Sequence, residues 1–316
     1  MSPRPRIAVV GGVATDYLVR GPSLPEKGGS AQGDLFQEAL GGKGANGAVA
    51  AVRLGADATL VARVGADRRG LEQLTWLERE GVSLESVVSE PEAPAGAVLV
   101  MVDGRGRKQT FSAPGANHRL SIRDVLRSAE RIAAAKVLLV QLEVPPSAVQ
   151  AAVRLARAAG VRVVLDPAPA MTLPEVLLED VHVIRPNAAE ARTLTGIPVH
   201  DRASASRAAS NLLMRGVGAA IIAAPGGSLL LSREEEAWLP ELPVDSVDST
   251  GAGDAFSAAL AVSLAESQPL LTAARFAQAA AAIATTRLGA QGGLPYRDEV
   301  LGLLSDVQLE VQVGPP

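Results

Sequence analysis

The segment Asp248-Ser249-Thr250-Gly251-Ala252-Gly253-Asp254 sets two carboxylates around small residues, directly before an apolar run, Ala255 to Ala265, that reads as a helix. Glycine and alanine let a ligand approach the backbone. The first turn of a helix also offers N–H groups without intrahelical partners and a partial positive charge. Such an entrance accepts a phosphate oxygen. An aspartate at its mouth is placed to take a proton from an attacking hydroxyl or to hold a metal beside phosphates. Serine, threonine and aspartate are ordinary helix caps too, and this segment alone leaves that reading open.

A second cluster, Gly41-Gly42-Lys43-Gly44-Ala45-Asn46, precedes the apolar run Ala48 to Leu54, so the chain has two glycine-rich helix entrances. Two such starts suggest two ligands or two ends of one. A P-loop is rejected, because its spacing between glycines and its Ser or Thr after the lysine are absent. The dinucleotide fingerprint fails as well. Gly11-Gly12 follows a plausible strand, Ile7 to Val10, but no third glycine completes the pattern, and Asp16 sits where a helix should begin.

Taken together, Gly41 to Asn46, Gly65-Ala66-Asp67 and Asp248 to Asp254 resemble the motifs of the ribokinase family of carbohydrate kinases. The likeness covers nearly the whole chain. Gln141-Leu142-Glu143, Asp166-Pro167-Ala168-Pro169-Ala170, Pro186-Asn187-Ala188-Ala189-Glu190 and Arg287-Leu288-Gly289-Ala290-Gln291 fall in family order. The resemblance implies an α/β fold, a three-layer α/β/α sandwich with a mostly parallel central sheet and a small β-sheet lid. It also implies one kinase domain over 1–316, with the lid drawn from about 14–40 and 95–113. The implied activity is ATP-dependent phosphorylation of a sugar primary hydroxyl, with D-ribose at O5 leading. Another sugar or a nucleoside is the runner-up, and a sugar- or nucleotide-binding sensor without turnover is the reading of a different class.

The same resemblance assigns roles. Asp254 is the general base, and the N–H groups of Gly251, Ala252, Gly253 and Asp254 receive the phosphoryl oxygens. Asp16, Gly42, Lys43, Asn46 and Glu143 match sugar contacts; read without the family, Asp16 and Glu143 are solvated charges at strand ends and Lys43 covers a surface. Asn187 and Glu190 match an Asn-x-x-Glu motif acting on the phosphates and Mg2+ through water, or else form a capped helix start. Asp248 and Thr250, with backbone oxygens of Ala284, Arg287, Gly289 and Gly293, correspond to a monovalent-cation site, which implies K+. Gln278 stands where an adenine neighbour is expected. One segment departs from the pattern. Members carry Thr-x-Gly-x-x-Gly against ATP, whereas this chain reads Ile222-Ala223-Ala224-Pro225-Gly226-Gly227-Ser228. The threonine and one glycine are missing, and Pro225 removes a backbone donor, which leaves Gly226 and Gly227 to face the nucleotide.

The elements that must hold these residues follow from pattern and composition. The 316 residues suffice for one large α/β domain, and 47% apolar but 3% aromatic residues mean a core of Ala, Val and Leu. Val137 to Val140, Pro146 to Ala159, Arg162 to Leu165 and Val181 to Ile184 alternate strand and helix in the βαβ rhythm of a parallel sheet. Asp16 to Leu40 lacks helical periodicity, and Ala97 to Phe111 alternates like a hairpin around Asp103-Gly104. Both read as an insertion over the sugar, and exposed strand edges there predict a homodimer. Only Tyr17, Phe36 and Phe111 lie near that lid, which disfavours a nucleoside base as ligand.

Zero cysteines exclude disulfides and thiolate chemistry, and three histidines make a His-rich metal centre unexpected, so any metal is held by oxygen. A net charge of −4 with scattered arginines offers nothing to nucleic acid or to acidic membranes. The segment Met1 to Arg6 runs into an apolar strand too short for a signal-peptide core, and no stretch reaches a membrane span, so the expected location is the cytoplasm.

Overall fold

The computed structural model describes residues 3–105, 107–306 and 312–314. Met1, Ser2, Gly106 and the C-terminal residues outside these ranges, which the 1–316 span and the 97–111 hairpin include, lie outside the described residues. Strands rich in Val, Leu and Ile without polar alternation need cover on both faces. They supply β1 (Arg6–Val10), β4 (Asp57–Gly65), β8 (Val137–Val140), β9 (Arg162–Leu165), β10 (Val183–Ile184) and β11 (Ala219–Ala224), while the more polar, partly exposed β5 (Ser83–Glu90) forms the edge. They pair in the order β11-β10-β9-β8-β1-β4-β5, every neighbour parallel. β12 (Gly227–Ser232), β13 (Glu236–Pro240) and β14 (Gln312–Gly314) extend this sheet antiparallel from β11.

Alternate strand residues enter different cores, as a two-residue period requires. Val9, Leu139 and Val164 join the helices Lys43–Arg53, Ala252–Ala265 and Leu270–Ala284 on one face. Ala8, Leu138 and Val163 join the helices Pro146–Ala158 and Arg202–Met214 on the other. The result is the three-layer sandwich. From Asp254 to Ala265 every residue is buried, and a helix apolar on all sides must lie inside. Alanines there allow backbones to approach closely, while Phe256, 1% exposed, contributes about 1.5–3 kcal/mol by burial.

A second sheet stands apart, in the order β3-β2-β6-β7, from β2 (Ala14–Gly21), β3 (Leu35–Gly41), β6 (Gly96–Asp103) and β7 (Lys108–Ala113). Its β2–β6 pairing is parallel and the outer two are antiparallel. Asn117 holds the link between β1 of the main sheet and β2 of this one: its side chain accepts from Val13 N and donates to Val13 O. Among the described residues no helix is long and apolar enough to cross a membrane.

Two boundaries differ from the sequence pattern for a tertiary reason. The first helix begins at Lys43 rather than Ala48, and the late one at Ala252 rather than Ala255. Glycine disfavours a helix interior, but Gly44 packs where a Cβ would stand 2.5 Å from the Gly11 carbonyl carbon, so close backbone packing overrides propensity. The strand expected over 181–184 is paired only at Val183–Ile184. Asp16, set where a dinucleotide fold would start a helix, lies in β2 instead.

Candidate active site

In an open parallel sheet the free backbone groups and the loops at the carboxyl ends of the strands form the crevice in which ligands bind. Here Gly11-Gly12 follow β1, Gln141 to Glu143 follow β8, Asp166 follows β9, and Arg185 to Asn187 follow β10. The helices Lys43–Arg53 and Ala252–Ala265 bring their N-termini to the same end. Gly42 caps the first with φ 88°, and any side chain there would press on Gly12 O and Ala14 N, each 2.7 Å from a Cβ position. Gly251 caps the second with φ 84°, close against Ala290. Both caps therefore demand glycine, and neither helix start has a side-chain cap consuming its N–H groups.

Asp254, 5% exposed, is the hub. Its Oδ1 lies 3.2 Å from Lys43 Nζ, and its Oδ2 accepts from Asn46 Nδ2 at 2.7 Å. Asn46 Oδ1 accepts from Gln291 Nε2, and Lys43 N donates to Glu143 Oε2 at 2.7 Å. Asp16 enters from β2 beside Gly41, where a Cβ would lie 2.2 Å from its carboxylate. The structure thus brings Asp16, Gly42, Lys43, Asn46, Glu143 and Asp254 together from segments distant in sequence.

The charges are unbalanced. Burial pushes the Asp16 carboxyl up to about 6, and the Asp254 charge adds to this. Burial pushes Glu143 up to about 7 against the pull of Lys43, and Asp166 to about 6. For Lys43 burial acts downward, but Asp254, Asp166 and Glu143 outweigh it and hold the ammonium protonated well above its ordinary value. A crowd of acceptor-only carboxylates around one ammonium suits a ligand rich in hydroxyl donors.

On the far side of the glycine turn the arrangement is local. Asn187 caps the helix Ala188–Thr195: its Oδ1 accepts from Ala189 N and Glu190 N, and Glu190 accepts in return from Asn187 N and Nδ2. Gln278 donates to Pro240 O at 3.2 Å. The segment Ile222–Ser228 closes as a tight hairpin between β11 and β12, with Gly226 at φ 81° and open space beside it. Asp248 Oδ1 accepts from Thr250 N and Oγ1, and its Oδ2 accepts from Gly289 N. Thr285 O accepts from Val247 N and Asp248 N, and Ala284 O presses on Gly293, where a Cβ would stand 2.4 Å away. Segments 247–250 and 284–293 are thereby tied side by side. The Arg287 side chain turns away to pair with Glu299.

Two residues at this end carry no role from the sequence. Asp166, 1% exposed, accepts from Ser257 Oγ at 3.2 Å. Arg185 lays its guanidinium along the first turn of the 252–265 helix, 4.8 Å from the Phe256 ring centroid. Their common signal is position: each is the first residue after a parallel strand.

Comparison with known proteins agrees with this arrangement. Residues 4–297 match the model of the pfkB family carbohydrate kinase. The chain is 36% identical to the ribokinase of Haemophilus influenzae over 95% of its own length and 99% of that protein's. It is 31% identical to a deoxyribokinase of Salmonella typhi, over 95% and 98%. Arabidopsis thaliana ribokinase, complexed with ribose and ATP, superposes with a TM-score of 0.86 at 31% identity, covering 96% of this chain and 99% of that one. The chain belongs to the pfkB family of carbohydrate kinases.

Proposed function

We propose that this kinase transfers the γ-phosphoryl group of ATP to the primary hydroxyl of a pentose, D-ribose at O5. The observation that carries the reading is the Asp254 hub: a buried carboxylate at a glycine-capped helix start, ringed by Lys43, Asn46, Glu143 and Asp16. A sugar hydroxyl is a weak nucleophile until a base takes its proton as the bond to phosphorus forms. Asp254 takes that proton. Asp16 and Glu143 accept from the other hydroxyls, Asn46 offers both donor and acceptor, and Lys43 and the Gly42 turn fix the ring's edge. The Gly251 to Asp254 N–H groups receive the phosphoryl oxygens, placed in advance where charge develops.

Asn187 and Glu190 sit on the nucleotide side, and Glu190 would hold Mg2+ through water. The ion, when bound, neutralises charge on the phosphates. Gln278, Gly226 and Gly227 lie toward the adenine and phosphates. Asp248 and Thr250, with the Ala284, Arg287, Gly289 and Gly293 carbonyls, would hold K+ behind the glycine turn. The small sheet, strands from 14–41 and 96–113, serves as the lid of the single domain. Its exposed face carries Phe36, Leu99 and Phe111, at 63%, 43% and 80% exposure, which favours pairing with a second copy. The reaction belongs in the cytoplasm, with sugar and ATP as small-molecule partners.

ADP release with ATP, Mg2+ and K+ against ribose, deoxyribose, fructose, adenosine and pseudouridine tests the reading. Ribose-selective turnover is expected. Selectivity for another acceptor keeps the kinase and moves the substrate, whereas tight sugar binding with no turnover would make the chain a sensor.

A further inference from the structure

Arg185 differs from the arginines that make the fold's buried ion pairs. Arg53, Arg63 and Arg297 each clamp carboxylates. Arg185 is half-buried and makes no direct ion pair among the described residues; the one carboxylate its charge is seen to act on is the buried Asp166, whose acidity it strengthens from a distance. It leans instead on the Phe256 face and on Gly253, where a Cβ would stand 2.9 Å from its Nη1. That turn is already the positive end of a helix whose N–H groups have no side-chain cap. A guanidinium and a helix N-terminus repel each other, a cost that the Phe256 face and the more distant Asp166 carboxylate offset only in part. The pairing makes physical sense when an anion lies between them.

We infer that Arg185 is a further catalytic residue of the proposed kinase reaction, contacting the transferred phosphoryl group from the side opposite Asp254. The inference rests on the kinase reading. The hydroxyl oxygen forms its bond to the γ-phosphorus while the bond to the bridging oxygen breaks, its electron pair leaving with ADP and the hydroxyl proton going to Asp254. Charge spread over the equatorial oxygens is met by the Gly251 to Asp254 N–H groups and by the Arg185 fork. Because Arg185 leads directly into the Asn187–Glu190 cap, this contact joins the nucleotide side to the base.

The test compares wild type, Arg185→Gln and Arg185→Lys by calorimetric titration with ATP and with ADP, alongside steady-state turnover and thermal melting. In Arg185→Gln, kcat should fall about 10²–10³-fold, the loss of one preorganised donor, with sugar KM within about threefold. ATP should bind several-fold more weakly while ADP and the melting temperature hold. Arg185→Lys should recover part of both losses. Unchanged ATP-to-ADP selectivity and kcat in Arg185→Gln would overturn the inference, as would equal losses in both variants accompanied by lowered melting. If wild type turned over no acceptor, the kinase reading would fail by itself, and the ATP-to-ADP ratio would still decide for or against the Arg185 contact.

Discussion

The two ends of the crevice are built differently. At the end proposed for the sugar, groups from a strand end and two helices bond one another across the fold: the Lys43 and Asn46 side chains to Asp254, and Lys43 N to Glu143. At the end proposed for the nucleotide, Asn187 and Glu190 bond each other, Gln278 bonds Pro240 O, and the hairpin at Gly226 faces open space. Sugars of one size differ chiefly in where their hydroxyls point or are missing, so rejecting the wrong one draws on buried polar groups left unpaired by it. A triphosphate is recognised by charge and shape, which helix ends and turns supply through the backbone. The sugar end therefore holds strain in its charges, and the nucleotide end holds little.

That contrast is broken most severely at Asp254. Asp254→Asn keeps an oxygen for the Asn46 donor but cannot take a proton, so kcat should fall about 10²–10⁴-fold with sugar binding retained in calorimetry. Next comes Asp16→Ala, which removes charged hydrogen bonds worth about 1.5–3 kcal/mol and should raise the sugar KM about 10–100-fold, leaving the ATP KM in place.

The raised carboxyls sharpen the contrast through pH. Asp16 at about 6 and Glu143 at about 7 accept most strongly from hydroxyls once ionised, so kcat/KM for the sugar should climb as pH rises through that range. Stability of the free enzyme should move oppositely. An acid whose folded pKa is raised stays protonated after the unfolded chain has lost its proton. Its penalty is therefore absent below the ordinary carboxylate range and complete above about 7. Glu143→Gln should thus melt a few degrees higher than wild type at pH 8 and equally at pH 4, while binding sugar more weakly. The smallest effect belongs to the nucleotide end. Pro225→Gly returns a backbone donor to the hairpin and should lower the ATP KM about two- to threefold without altering the sugar KM, as paired steady-state assays would show.

Much of the sugar end is legible in the sequence because its residues sit in glycine-rich motifs whose caps tolerate nothing else, Gly42 and Gly251 above all. The apolar runs of β1, β8 and β9 were equally plain, since strands buried on both faces leave few polar residues to blur them. Arg185 and Asp166 were not legible as site residues: an arginine before Pro186 or an aspartate before Pro167 acquires meaning only once both are seen to follow neighbouring parallel strands. The start of the first helix at Lys43 was hidden for a related reason. Gly44 reads as a helix breaker until the Gly11 backbone is found pressed against it.

The most direct measurement is the proton-coupled 31P spectrum of the product formed from ribose and ATP. The account predicts a phosphomonoester resonance split into a triplet by the two methylene protons at C5, growing in step with ADP. A doublet, which places the phosphate on a secondary or anomeric hydroxyl, or ADP growing with inorganic phosphate alone, would contradict it.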